Sequence, residues 1–501
     1  MLLSVKNLSV SFGSLDAVRD VSLDIPAGAC VAIVGESGSG KSVTARSILG
    51  LAGGSSTVSG SISLDGESLT DASPRRLRSL RGRDIGFVSQ GALVALDPLR
   101  TVGREIADTL RIHSDLTPRQ RQARVIELLE SVGMDASRAT QRPDELSGGL
   151  RQRAIIASAI ALNPRLLIAD EPTTALDSTV TAGILDLLEK LRDDGMAMLL
   201  ISHDLAVVSR LASHIVVMRA GVVLETGETQ QVLREPQHPY TRELIDAVPG
   251  GTAHVGLPAG SPVVSATGLV RRFGSRMAVD DVSFTLSKGR TLGIVGESGS
   301  GKTTLARLVL ALDQPDAGAV EVFGQPWTAV PEKQRTARRP RIGAIYQDAL
   351  SSFDPRLTVA QILGDAGSRE ALVTLVEQVG LDANVLPRHP RVLSGGQQQR
   401  VAIARAIAAK PDVLVCDEPV SNLDVSVQAQ VLRLLADLQR QLGLSYLFIT
   451  HDLGVVREMS DELLVMKDGR VVEHGATEQI FAAPSHPYTR ELLAAVPRLL
   501  P

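Results

Sequence analysis

Cysteine is nearly absent: 501 residues contain only Cys30 and Cys416. Each lies in a short apolar run, ACVAIVG or VLVCDEP, that reads as a buried parallel strand. Two thiols in separate domains fall short of a four-ligand metal site. A disulfide is not expected in a cytosolic chain either, so both read as small core residues. Long apolar runs are missing too. No uninterrupted stretch reaches the roughly 18 residues of a membrane-spanning helix. The first residues, MLLSVKNLSVSFG, alternate like a strand and lack the apolar core and cleavage site of a signal peptide. The chain is therefore expected in the cytosol or on a membrane's inner surface. Charge of one sign is also lacking, since a formal net charge of −4 gives no electrostatic case for nucleic acid. What remains is a globular composition, 44% hydrophobic and 22% charged, in a chain long enough for two to four domains.

Self-comparison reveals a duplication. GESGSGKS at Gly35–Ser42 returns as GESGSGKT at Gly296–Thr303, and LSGG occurs at Leu146–Gly149 and Leu393–Gly396. DEP recurs at Asp170–Pro172 and Asp417–Pro419, HDL at His203–Leu205 and His451–Leu453, and HPYTREL at His238–Leu244 and His486–Leu492. The order is the same in both halves. The copies are offset by 261 residues at Lys41 and Lys302, by 257 at Gln90 and Gln347, and by 247 at Ser147 and Ser394. Beyond that point the offset holds, so about ten residues are missing from the second copy between Gln347 and Ser394. The shortened stretch is helical in pattern (QARVIELLESVGM, then REALVTLVEQVGL) and is expected to face something that differs between the halves. The Gly-, Pro- and Ala-rich PGGTAHVGLPAGSP marks the boundary, giving domains 1–249 and 262–501 with a linker at 250–261. Strands such as VAIVG and LLIAD alternate with helical stretches, which predicts α/β domains with a mainly parallel sheet.

Each GESGSGK[ST] follows an apolar strand and precedes a helical pattern, the setting a phosphate-binding loop needs. A ligand-free glycine turn is the plainer alternative, disfavoured by two matches in that setting. Gly35, Glu36, Ser37, Gly38, Ser39, Gly40, Lys41 and Ser42 would form one cradle. Gly296, Glu297, Ser298, Gly299, Ser300, Gly301, Lys302 and Thr303 would form the other. Glycine lets backbone N–H groups turn toward phosphate, and the following helix start adds positive potential. Lys41 and Lys302 should reach the β- and γ-phosphates of ATP, with Ser42 and Thr303 on Mg²⁺. Asp170 and Asp417 end apolar strands beside those loops, where a carboxylate can hold Mg²⁺ through water; loop capping is the competing role. Glu171 and Glu418 follow, placed to orient or deprotonate an attacking water. His203 and His451 end further apolar runs about 33 residues beyond the acid pairs, placed to contact the γ-phosphate and fix the water and glutamate. Arg75, Arg76, Arg78, Arg81 and Arg83, and then Arg335, Arg338, Arg339 and Arg341, precede the two glutamines. Without interleaved aromatics they read as solvated helix faces and not as a nucleic-acid surface.

Phosphate loop, glutamine, LSGG, DEP and histidine together resemble the ABC ATPases over essentially the whole chain. LSGG separates these from other P-loop NTPases. The resemblance implies two tandem P-loop domains, each with an antiparallel β subdomain and a helical subdomain. It implies that Ser147, Gly148 and Gly149 face ATP held at Lys302, and that Ser394, Gly395 and Gly396 face ATP held at Lys41. It makes Phe12 and Phe273 adenine-stacking positions, against a core role for either ring. Gln90 and Gln347 become sensors of Mg²⁺ and of the membrane partner, and Asp177 and Asp424 link the two sites. Gly91, Ala92 and Asn422 depart from the family pattern. Both copies keep Lys, Asp, Glu, His and LSGG, so two hydrolytic sites are expected.

The HPYTREL tails, each running into AVP, resemble the ATPases of dipeptide, oligopeptide and nickel importers. The phrases LDP and FDP, whose Asp97 and Asp354 lie seven residues after each glutamine, fit the same group. The resemblance implies ATP-driven import of peptides through two separate transmembrane permeases, fed by an extracytoplasmic binding protein. The chain would sit peripherally on the cytoplasmic face of the inner membrane, without direct contact to nucleic acid. Nickel or metallophore uptake and an exporter's ATPase are alternatives. A translation or DNA-repair ABC protein is the rival class, but neither a long charged linker nor zinc-binding cysteines are present. Many peptide-importer relatives carry a cysteine-rich iron–sulfur extension after the tail. Here no cysteine follows either tail, so no cluster is expected.

Overall fold

The structure, a computed structural model, describes residues 1–89, 95–174, 176–249, 260–364, 367–421, 423–496 and 499. They form two compact units, one built on Met1–Leu176 and Val180–Asp246, the other on Ala247–Val496. Of the linker expected at 250–261, residues 250–259 lie outside the described residues.

In the first unit, β1 (Leu3–Phe12) buries Leu3 and Val5, then Leu8 and Val10. Simple alternation would bury Asn7. Asn7 instead takes φ 52°, the pairing slips between Val5 and Leu8, and the apolar phase is reset. β1 pairs with β2 (Leu15–Ile25) and with β4 (Ser56–Leu64), which pairs with the short β5 (Glu67–Ser68), all antiparallel. The second sheet contains β3 (Cys30–Val34), β6 (Ile85–Val88), β7 (Leu166–Asp170), β8 (Ala197–Ile201), β9 (His214–Arg219) and β10 (Val222–Glu228). Its order is β10–β9–β3–β8–β7–β6. Every pairing in it is parallel except that of β10 with β9. β3, β7 and β8 are buried throughout, as strands covered on both faces must be.

Register decides what this sheet presents. Ile33 pairs with Ile201, and Ile201 with Asp170, so β3, β7 and β8 end together. The segments after Val34, Asp170 and Ile201 therefore leave the same sheet edge, where parallel α/β sheets offer their ligand sites.

The second unit repeats the plan. β11 (Pro262–Phe273), β12 (Arg276–Ser287), β14 (Ala317–Val322) and β15 (Gln325–Pro326) form the antiparallel sheet in the order β12–β11–β14–β15. The mainly parallel sheet has β13 (Thr291–Val295), β16 (Ile342–Ile345), β17 (Val413–Asp417), β18 (Ser445–Ile449), β19 (Glu462–Lys467) and β20 (Arg470–Ala476). Its order is β16–β17–β18–β13–β19–β20, and Ile449 pairs with both Ile294 and Asp417.

A helical subdomain completes each unit, and the missing residues fall there. The helix Val102–His113 has 12 residues, whereas its counterpart Val359–Ile362 has four. The next helices, Pro118–Ser131 and Arg369–Gln378, carry the two helical patterns read from the sequence. Among the described residues no helix is long and apolar enough to cross a membrane. Cys30 and Cys416 are buried strand residues, and burial raises the Cys30 thiol to about 12.

The arginine runs need a correction. Arg335 is only 4% exposed, not solvated; it donates to Trp327 O at 3.0 Å and lies under the buried indole ring. Arg76 forms a two-pronged pair with Glu67, and Arg341 lies over Phe323 while bonding Asp412. Arg81, Arg335 and Arg339 are spent on packing within their units, whereas Arg75, Arg78 and Arg83 are exposed, as a solvated face requires.

Candidate functional site

In the first unit β3 ends in a loop that only glycine can follow at two points. Gly35 takes φ 149°, and a Cβ there would stand 2.0 Å from Met218 O. Gly40 takes φ 98°, with Ala17 O only 2.6 Å from such a Cβ. Between them Ser37 and Gly38 form the exposed tip, while Ser39 is buried. The helix Lys41–Ile48 starts directly after Gly40. Lys41 Nζ folds back to donate to Gly35 O at 2.7 Å and to Glu36 O at 2.8 Å. The second loop repeats this with Gly296 and Gly301 at φ 153° and 103°, the helix Lys302–Val309, and Lys302 Nζ on Gly296 O at 2.7 Å and Glu297 O at 2.8 Å. Arg276 donates to Gly299 O at the tip, and Ser300 is buried beneath it. Burial pushes the Lys302 ammonium below its usual value, while the nearby carboxylates Glu418 and Asp417 oppose the shift.

The carboxylates stand against these loops. Ser42 Oγ donates to Asp170 Oδ1 at 2.9 Å, and Thr303 Oγ1 to Asp417 Oδ1 at 3.3 Å. Asp170 is fully buried, and its Oδ2 has no hydrogen-bond partner among the described residues. An orphaned carboxylate oxygen beside a hydroxyl is a hard, all-oxygen donor set, the kind that fits Mg²⁺. Burial raises both aspartates above their usual value; the Ser42 and Thr303 hydroxyls oppose the shift and the charge of the adjacent glutamate adds to it.

Glu171 and Glu418 turn back beside the histidines. Their N–H groups donate to Ile201 O and Ile449 O at 2.9 Å, and their φ values are 52° and 49°. His203 Nδ1 lies 3.3 Å from Glu171 Oε1, and His451 Nδ1 lies 3.2 Å from Glu418 Oε1. Burial pushes both glutamates up, but the histidine's hydrogen bond and charge outweigh it and leave each below its usual value. Burial likewise opposes the charged form of His451, yet the Glu418 contact prevails and raises it. Gln347 Nε2 donates to the other Glu418 oxygen at 2.9 Å.

Loop, aspartate, glutamate and histidine thus converge in each unit. The other expected residues are placed as follows. Ser147 caps the helix Gly148–Ala159 by accepting the Leu150 N–H. Ser394 caps Gly395–Ala408 in a full capping box with Gln397. Gly149 and Gly396 are helical glycines whose added Cβ would stand 2.3 and 2.5 Å from Val180 and Val427. Phe12 is half-buried and packs against the core of its unit. Phe273 is 49% exposed, with the Arg271 guanidinium over its ring. Gln90, Gly91, Ala92 and Asn422 lie outside the described residues.

Two features escape sequence reasoning. Nothing in a strand-ending Asp-Glu pair announces a left-handed glutamate. And the tyrosines of the tails, Tyr240 and Tyr488, touch the loops through Glu36 and Glu297 N–H at 3.1 and 3.0 Å. Their signal was present in the repeated HPYTREL, which otherwise speaks only of resemblance.

A family model described as "ABC transporter" matches residues 18–174 and 279–421, and one described as "Oligopeptide/dipeptide transporter, C-terminal region" matches residues 224–261 and 472–501. The peptidoglycan transport ATP-binding protein YejF of Agrobacterium fabrum is 44% identical over 526 residues, covering 99% of this chain and 96% of the relative. The glutathione import ATP-binding protein GsiA of Salmonella typhimurium is 39% identical over 558 residues, covering 99% and 89%. Among solved structures, the archaeal ribosome recycling factor aABCE1, in complex with the ribosomal stalk protein aP1, gives a TM-score of 0.65 at 21% identity. It covers 94% of this chain and 88% of that one, and at such identity the likeness shows the fold alone. The chain belongs to the ABC transporter ATP-binding proteins, with two ABC ATPase domains, each followed by a C-terminal region of the oligopeptide/dipeptide type.

Proposed function

We propose that this chain hydrolyses ATP at two sites, one per unit, and thereby drives import of di- or oligopeptides through two separate transmembrane permeases. The observation that carries the catalytic part is the histidine–glutamate pair beside a lysine-bearing phosphate loop, built once at the sheet edge of each unit. The tail regions and the transport names of the relatives support the peptide part.

Lys41 and Lys302 reach from the loop to the β- and γ-phosphates, and the backbone of Gly35–Ser42 and Gly296–Thr303 cradles the anion. Ser42 with Asp170, and Thr303 with Asp417, would hold Mg²⁺, which would supply neutralisation of phosphate charge. Gln90 and Gln347 join that set. Glu171 and Glu418, kept ionised by their histidines, orient water and accept its proton at a carboxylate oxygen. His203 and His451 fix that carboxylate and face the γ-phosphate, while Phe12 and Phe273 stack on the adenine. An extracytoplasmic binding protein delivers the peptide, and the chain is peripheral on the cytoplasmic face of the inner membrane. The domain bounds are 1–249 and 262–501, joined by 250–261. The cysteine count supports a chain without an iron–sulfur cluster.

Replacing both Glu171 and Glu418 with Gln tests the chemistry: turnover should vanish while ATP stays bound, because the water loses its base and the cradle is intact. A double variant hydrolysing ATP at the parent rate would sink the assignment. Uptake of a labelled dipeptide by cells carrying that double variant tests the cargo, and undiminished uptake would rule it out.

A further inference from the structure

Each HPYTREL segment reaches the phosphate loop of its own unit. The tail helices are Pro239–Asp246 and Pro487–Ala494, and Tyr240 and Tyr488 are buried in their first turns. Tyr240 Oη accepts the N–H of Glu36 at 3.1 Å, and Tyr488 Oη accepts the N–H of Glu297 at 3.0 Å. Each contact closes a separation of about two hundred residues, and it is built twice.

The tyrosines are held firmly. Glu225 accepts the N–H groups of Gln237 and His238, and His238 Nδ1 accepts that of Tyr240. Glu473 does the same for Ser485 and His486, and His486 Nδ1 accepts from Tyr488. The Arg219 guanidinium lies 4.6 Å over the Tyr240 ring, and Lys467 Nζ lies 4.4 Å over that of Tyr488. Each hydroxyl is thus aimed from a fixed platform of strand and tail helix.

The grip falls on one peptide unit. Gly35 O and Glu36 N belong to the same peptide, and Lys41 Nζ holds its oxygen while Tyr240 holds its N–H. Lys302 and Tyr488 hold the Gly296–Glu297 peptide in the same way. A phosphate-loop lysine reaches the nucleotide from the carbonyl side of that peptide. The tyrosine bond lies on the opposite side, and the lysine's reach to phosphate does not touch it.

We propose that Tyr240 and Tyr488 are positioning residues of the two nucleotide sites, keeping the first limb of each phosphate loop in its binding shape while the lysine serves the phosphates. The tail region is then a working part of the ATP site. This rests on the reading of Gly35–Ser42 and Gly296–Thr303 as phosphate loops.

The test is Tyr240→Phe, which keeps the ring and removes the hydroxyl, read with mant-ATP and Mg²⁺ in a Lys302→Ala chain so that only the first site reports. The Kd should rise about 2- to 10-fold, the worth of one ordinary hydrogen bond. In the chain that keeps both lysines, Tyr240→Phe with Tyr488→Phe should raise KM similarly and leave kcat within about twofold. Glu36→Pro removes the same hydrogen bond from its donor side, so Tyr240→Phe should add almost nothing beside it. A merely structural tyrosine would not obey that cycle. An unchanged Kd in Tyr240→Phe, or an undiminished effect beside Glu36→Pro, overturns the inference alone. Failure of the Lys302→Ala chain itself to bind mant-ATP overturns the nucleotide reading and this inference with it.

Discussion

Glu171 and Glu418 sit in the left-handed backbone region, where a side chain other than glycine's costs about 1–2 kcal/mol. The strain has a geometric cause. The strand must end at the aspartate, and the next N–H must reach the neighbouring strand's last carbonyl, Ile201 O or Ile449 O. Only a left-handed step then swings the carboxylate back to its histidine. The cost is retained because the site needs that carboxylate. Glu418→Gly should therefore be more stable than Glu418→Ala by about 1 kcal/mol, the reverse of the order in regular structure. Both variants should be inactive at that site. Thermal unfolding of the pair checks this, and an alanine variant as stable as the glycine one would show the backbone to be relaxed there.

The tail helices show how one element is tied down by one side chain. Burial opposes the charge on Glu473, but the neighbouring Thr489 hydroxyl, the N–H groups of Ser485 and His486 and the Ser485 hydroxyl outweigh it and hold the carboxyl down to about 2. A depressed folded value means that this stabilisation is complete above the ordinary 4.5 and fades as pH falls toward about 2. Glu473→Gln should cost about 1 kcal/mol at neutral pH, after allowance for partial exposure. In a unit of this size that lowers the melting temperature by about 2–4 °C. The gap between parent and variant should narrow as the medium is acidified below 4.5. A gap that does not change with pH would mean the carboxylate's charge plays no part. The helical subdomain teaches the converse lesson: the ten-residue shortening was visible as a change of offset, but only the fold shows that two successive helices absorb it.

At the scale of the whole molecule, duplication of every chemical residue predicts two nucleotides bound per chain. Equilibrium binding should give a stoichiometry of two for Glu171→Gln with Glu418→Gln, and one once Lys41→Ala is added. A single site in the first case would mean that one copy is degenerate despite its intact motifs. The buried thiols make a second statement of the same range. Protein isolated anaerobically should carry no stoichiometric iron and no cluster absorbance, because Cys30 and Cys416 are core residues of separate units.

The sequence by itself determined the repeat, the order of motifs, the α/β class and the family, because these depend on residue types at fixed spacings along the chain. It also named Lys41, Asp170, Glu171 and His203 with their second copies, since glycine loops and strand-ending acids leave local signatures. Only the tertiary structure decided what touches what. Ser42 meets Asp170 across 128 residues because parallel strands of equal register end at one edge. Tyr240 meets Glu36 across 204 residues because the tail helix returns to that edge. Arg335 went from an expected solvated face to a buried position because a tryptophan ring eight residues away covers it. The first two contacts depend on where distant segments are brought together, and the third on which way a nearby ring packs; the residue pattern alone encodes neither.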